Sequence, residues 1–241
     1  MNGITVHFKE PKSEMLRNTL CIVILGLLVI SCAFGTDRVK LHDPMTYAPE
    51  KKGTTGTAVA APMDSKPAQG DLIQMALERV RDNRSDISRI GVKKNSYGTP
   101  TGSVDVEEGV IFLDLFTKNL TTCFESAGYK VISLKEYETI SPVDREKVKA
   151  HIETEVRNFW VEFMPGLFVV DAASNVIFEV RLHDPMTNKE IWSETFRGNG
   201  KVSGMAVTRG MFEESINIAY SQAMRQLRST LAEEKTRGMF K

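Results

Sequence analysis

Between Leu20 and Ile30 the chain reads LCIVILGLLVI, eleven residues with neither a charge nor a strong hydrogen-bonding side chain. A bilayer span takes about 20 apolar residues, so a run of this length does not cross and remain. It has the length of the apolar region of a secretory signal peptide, and Arg17 places a positive charge just ahead of it. The fold must therefore be sought downstream, in a water-exposed domain delivered across a membrane. The first fourteen residues, MNGITVHFKEPKSE, hold two acidic side chains, which is unusual for such a leader, so translation is expected to begin at Met15.

The apolar run closes on Val29-Ile30-Ser31-Cys32, which resembles the lipobox of bacterial lipoproteins: a branched aliphatic, a tolerant position, a small residue and a cysteine. The resemblance implies a diacylglyceryl group on the Cys32 sulfur, cleavage before Cys32 and acylation of the new amino terminus. The peptidase needs a small residue such as Ser31 to approach the bond, and the lipid needs a thiol to carry it. At about 0.8 kcal/mol per buried methylene, one acyl chain holds a protein reversibly while three hold it almost permanently. The competing reading makes Cys32 a chance thiol after an ordinary leader or in a buried helix. Ala33 matches the pattern that implies transfer to the outer membrane, on its periplasmic face. Once Cys21 leaves with the leader, Cys123 is the remaining thiol, and in an oxidising compartment it is expected to be buried.

Residues 1–31 thus form the leader, and residues 32–70 a lipidated start with a short strand and a linker. Within it, residues 47–70 are dense in Pro, Gly, Thr, Ala and Lys and too poor in large apolar side chains to offset ordering entropy. A single domain is expected over 71–235. Thirty-one basic side chains balance thirty-one acidic ones in the 241 residues, so no broad positive field is present to hold nucleic acid.

Within that domain, Leu72 to Val80 fits a helix face and a strand alternation equally. Val106, Val110, Leu113, Phe116, Leu120, Phe124 and Ala127 recur at steps of three and four, predicting a helix over 103–127 that ends at Gly128. A strand follows from Tyr129 to Leu134, then a short helix opened by Ser141 and Pro142. Three strands are predicted over 158–164, 167–182 and 189–202, the last two joined by the turn residues His183 to Lys189. Phe212, Ile216, Ala219, Ala223, Leu227 and Leu231 mark a closing amphipathic helix. The expected fold is α+β, a mostly antiparallel sheet with two main amphipathic helices on one face, preceded by signal peptide and flexible linker.

The order of pieces resembles the YajG-like lipoproteins. The likeness rests on the lipobox, a short strand at Asp37 to Leu41, the Asp82-Asn83-Arg84 step, the stretch Ile90-Gly91 to Asn95-Ser96-Tyr97-Gly98, and Ala127-Gly128-Tyr129. It covers residues 32 to about 232 and favours strand over helix for 72–80. It implies an outer-membrane lipoprotein facing the periplasm and carries over no enzymatic activity.

Asp82, Arg84, Asn95 and Tyr97 are the candidate partner or ligand contacts; Asp82 and Arg84 suit either a local brace or a grip on a carboxylate or phosphate, and the brace is the simpler reading. Asn95 and Tyr97 sit in a glycine-rich loop lacking the glycine spacing and lysine of a phosphate loop, and the nearby Asp105, Glu107 and Glu108 are taken as helix N-terminal charges. The heptapeptides KLHDPMT at 40–46 and RLHDPMT at 181–187 place a histidine beside an aspartate twice, as turn chemistry rather than a metal site. Glu136, Glu138, Glu153, Glu155 and Glu162 form no hydrolase pattern, and Trp160 and Trp192 are read as packing. No cofactor motif is found. The expected role is non-enzymatic: a module held in the membrane by acyl chains on Cys32 that binds an envelope protein partner through exposed sheet edges. The alternative is a small-ligand carrier or accessory subunit of an envelope transport system, using a cleft between helix 103–127 and the sheet.

Overall fold

A computed structural model of the chain describes residues 35–49, 72–139, 141–166, 169–233 and 238. The leader, the lipobox residues Val29, Ile30, Ser31 and Cys32, and most of the 47–70 linker lie outside them. The strands are β1 (Gly35–Val39), β2 (Ile73–Asp82), β3 (Gly91–Lys94), β4 (Pro100–Val106), β5 (Tyr129–Ser133), β6 (Val148–Pro165), β7 (Val170–His183) and β8 (Glu190–Gly204). The helices are α1 (Phe112–Ser126), α2 (Leu134–Thr139), α3 (Pro142–Arg145) and α4 (Arg209–Ala232). No helix among the described residues is long and apolar enough to cross a membrane.

The 18-residue β6 organises the sheet. From Val148 every second side chain is buried as far as Val156, and after a register shift between Val156 and Asn158 the alternation resumes at Phe159, Val161 and Phe163. One edge of β6 pairs with β7 along its whole length, antiparallel. The other carries β2 against Val148–Val156 and β3 against Val161 and Glu162, both parallel. β5 then lies parallel beside β2, β4 antiparallel beside β3, β1 parallel beside β4, and β8 antiparallel beside β7. The sheet is therefore mixed, which corrects the mostly antiparallel expectation. Alternating burial reports which face a side chain takes and is silent on strand direction. Only the short turn at 183–189 dictated a direction.

The helix expected over 103–127 begins at Phe112. Pro100–Val106 is strand, because β4 fills the place between β1 and β3. Gly109, with φ of +78°, turns the chain before the helix. The three-to-four spacing of Val106 and Val110 with the true helix was coincidental, and long-range pairing overrode it. Ser141 caps α3 as predicted, accepting from the Asp144 amide at 3.2 Å, and Gly128 takes a left-handed φ of +93° after α1.

The two long helices lie on one face of the sheet and bury the main core, while Ala76, Ile132 and Val148 form a small second cluster with Tyr137. Its centre is aromatic: Phe116 meets Phe178 edge-on at 5.3 Å between ring centres, and Phe159 meets Tyr220 at 5.3 Å. Such pairs add about 0.5–1.5 kcal/mol each beyond area burial. α4 approaches β8 through glycine. A Cβ at Gly198 would stand 1.8 Å from the Ala219 carbonyl oxygen, and one at Gly200 would stand 2.0 Å from that of Ser215.

Candidate functional site

Strand β1 starts at Gly35, three residues after Cys32, and its partner is Gly102 of β4. The segment after β1 is held by α4: the His42 amide donates to Asn217 Oδ1 at 2.8 Å, and Asn217 Nδ2 donates to the Lys40 carbonyl at 2.8 Å. Tyr47, which composition assigned to the linker, stacks on His42 and receives the Arg225 guanidinium on its carbonyl oxygen.

Asp82 and Arg84 close on each other. Arg84 donates from Nε and Nη2 to the two Asp82 carboxylate oxygens, both at 2.7 Å, and from Nη1 to the Arg89 carbonyl at 3.1 Å. Its guanidinium lies 4.2 Å above the Phe112 ring, and its side chain is 4% exposed. With its donors turned to Asp82 and the Arg89 carbonyl, Arg84 braces the turn between β2 and β3. Asn95 and Tyr97 belong to the β3–β4 turn. Asn95 Oδ1 accepts from the amides of Tyr97 and Thr99, at 3.0 and 2.9 Å, leaving the Tyr97 side chain 93% exposed.

Asp105, Glu107 and Glu108 are not helix charges, since the helix starts at Phe112. Asp105 lies in β4, Glu107 faces Arg209 at 3.4 Å, and Glu108 pairs with Arg38. On the outward face, Glu153 binds Arg81 at 2.8 Å, Glu155 accepts from Asn83 at 2.8 Å, and Glu162 pairs with Lys94. The Asn83 hydrogen bond, aided by Arg157 and Arg181, holds the Glu155 carboxyl below its ordinary pKa. These carboxylates work as ion-pair partners across the strands.

The two HDPMT segments make similar turns on different elements. Asp43 accepts from the Met45 amide at 2.9 Å, and Asp184 accepts from the amides of Met186 and Thr187 at 2.9 and 2.7 Å. His42 lies 3.3 Å from Glu213, whereas His183 lies opposite His151 in the β6–β7 register. Among the described residues no three histidine, cysteine or acidic side chains converge closely enough to hold a metal.

The interface between α1 and the sheet is filled by Phe112, Phe116 and Phe159, in place of the expected cleft. A cavity of about 610 Å³ instead lies beside the start of α4, lined by His42, Tyr47, Met211 and Glu213 among others. Edge protection was also missed. Gln222 and Gln226 of α4 accept from the amides of Asn199 and Arg197 in β8, at 2.9 and 3.4 Å, covering that half of the edge strand. The alternate glycines 198 and 200 were its sequence signal. The leading third of β8, Glu190–Glu194, remains largely exposed.

No protein-family model matches the sequence, and no curated protein matches it. Among solved structures, the fold is similar to a Helicobacter pylori protein described as a neuraminyllactose-binding hemagglutinin homolog. The TM-score is 0.50 at 14% identity, over 74% of this chain and 93% of that one. A second similar structure is XCC0632 from Xanthomonas campestris, with a TM-score of 0.42 at 12% identity over 82% and 91% of the respective chains. The Helicobacter likeness places the chain in a shared class of mixed α/β fold.

Proposed function

We propose that the protein is a lipid-anchored, periplasm-facing lipoprotein of the outer membrane that acts as a non-enzymatic partner-binding module. The observation that carries this is the order apolar run, Val29-Ile30-Ser31-Cys32, then a folded domain starting at Gly35. The finer assignment to the YajG-like family rests on the Asp82-Asn83-Arg84 step and the Ile90 to Gly98 stretch. The brace at Asp82 and Arg84 and the ion pairs of the outward carboxylates support a binding role over a catalytic one. The exposed leading third of β8, Glu190–Glu194, is the edge this reading gives to an added strand.

Cys32→Ser is the test of the anchor: the variant leaves the membrane fraction and takes no acyl label, and unchanged fractionation with retained label refutes the reading. A photo-crosslinking residue at Ser193 then tests the edge. Adducts are expected from Ser193 and not from Gln222, which is turned to β8, and adducts from Gln222 alone refute it. The cavity beside α4 favours the second reading, a small-ligand carrier or transport accessory subunit. Filling it with Gly210→Trp discriminates the two: function lost in a folded variant supports the carrier.

A further inference from the structure

The rim of the sheet where the chain enters carries apolar side chains in water. Gly35 sits beside Gly102, and Gly102 beside Lys93 of β3. Because β3 runs parallel to β6, the same rim holds the β3–β4 turn, the end of β6 and the start of β7. Tyr97 is 93% exposed in that turn, and Met164 and Val169, beside those strand ends, are each 48% exposed. Four adjacent strands spaced about 4.8 Å apart separate Gly35 from β6 by roughly 15 Å. Three residues back from Gly35, Cys32 lies no more than about 11 Å away.

We infer that this rim, with Tyr97, Met164 and Val169, rests against the lipid surface that holds the acyl chains, seating these side chains at headgroup level. The inference rests on the anchor reading above. The short reach from Cys32 brings the bilayer to this rim. The charges beside the apolar residues are internally matched: Lys93 with Asp37 at 3.1 Å, Lys94 with Glu162, and Lys201 with Asp171 at 2.8 Å. A rim of paired charges meets a lipid headgroup layer without net repulsion. Tyrosine, with an apolar ring and a polar tip, suits that layer. At the far end of the sheet, Met186 is 85% exposed in the β7–β8 turn and provides an internal reference.

The test uses the full lipoprotein purified from bacterial membranes, carrying Tyr97→Cys, Val169→Cys or Met186→Cys labelled with bimane. Native thiols do not interfere: Cys32 is thioether-linked, and Cys123 is fully buried with its thiol pushed up to about 12. In phosphatidylcholine vesicles containing spin-labelled lipid, emission is expected to be lost at positions 97 and 169 and unchanged at 186. An acylated, vesicle-bound protein with no loss at 97 and 169, or equal loss at 186, overturns the seating and leaves the anchor standing. An unacylated polypeptide by intact mass overturns the anchor, and the seating with it.

Discussion

Gly198→Ala tests how α4 closes onto the sheet. A Cβ at Gly198 would stand 1.8 Å from the Ala219 carbonyl oxygen, 2.7 Å from the Ala219 carbonyl carbon and 3.0 Å from the Ala223 amide nitrogen. All three are backbone atoms of one helix, so no side chain can swing aside. Reaching even a tight contact moves α4 away from β8 by about 1.2 Å. That retreat loosens the fully buried Ile216, Ala219, Ala223 and Leu227 and draws Gln222 and Gln226 from the β8 amides. Overpacking of this kind costs about 1–3 kcal/mol, and reduced freedom of the unfolded chain offsets less than about 1 kcal/mol of it. The net cost is then about 1–2 kcal/mol; for a domain of this size each kcal/mol lowers Tm by about 2–4 °C, so a fall of roughly 2–8 °C is expected in a thermal melt followed by circular dichroism. Gly210→Ala is the control. Its Cβ would meet nothing closer than 3.8 Å in the first turn of α4, and it should raise stability by up to about 1 kcal/mol. An unchanged or raised Tm in Gly198→Ala would refute the close approach of helix and strand.

Three further outcomes are expected. Arg84→Met should cost about 3 kcal/mol in urea denaturation by stranding Asp82, and Arg84→Lys should recover little, because an ammonium cannot fork to two oxygens and a carbonyl. Burial holds the His151 imidazole below its ordinary pKa despite Glu78, so the folded state resists the proton. Stability is then intact above about pH 6.5 and falls as pH drops below it, a slope that His151→Gln should reduce in denaturation curves taken across pH 4–8. Burial raises the Cys123 thiol to about 12, so thiol reagents at about pH 8 should label it only after unfolding, and its contribution to stability is lost as pH rises from about 9 towards 12. Rapid labelling of the folded protein would contradict the burial.

What could be read in advance follows from the range of the forces concerned. The closing helix, the 129–133 strand, the Ser141 cap and the 183–189 turn rest on neighbours a few residues apart, and each appears close to where the pattern put it. The first ten residues of β6 were missed because their alternation, with Lys149, Glu153 and Glu155 between apolar residues, was hidden among charges. The spacing of Asp82 and Arg84 allows a brace or a ligand grip and favours the brace. Their burial against Phe112 could not be seen, since Phe112 is 28 residues away from Arg84.

The sequence by itself determined the face alternation of β7 and the helical periodicity of the closing helix, because these depend on residue order alone. Tertiary structure decided which strands run parallel, where α1 begins, that the cleft beneath it is filled, and which part of β8 stays open. Those outcomes depend on partners distant in the chain, where one backbone approach such as Ala219 to Gly198 settles the space left to every neighbour.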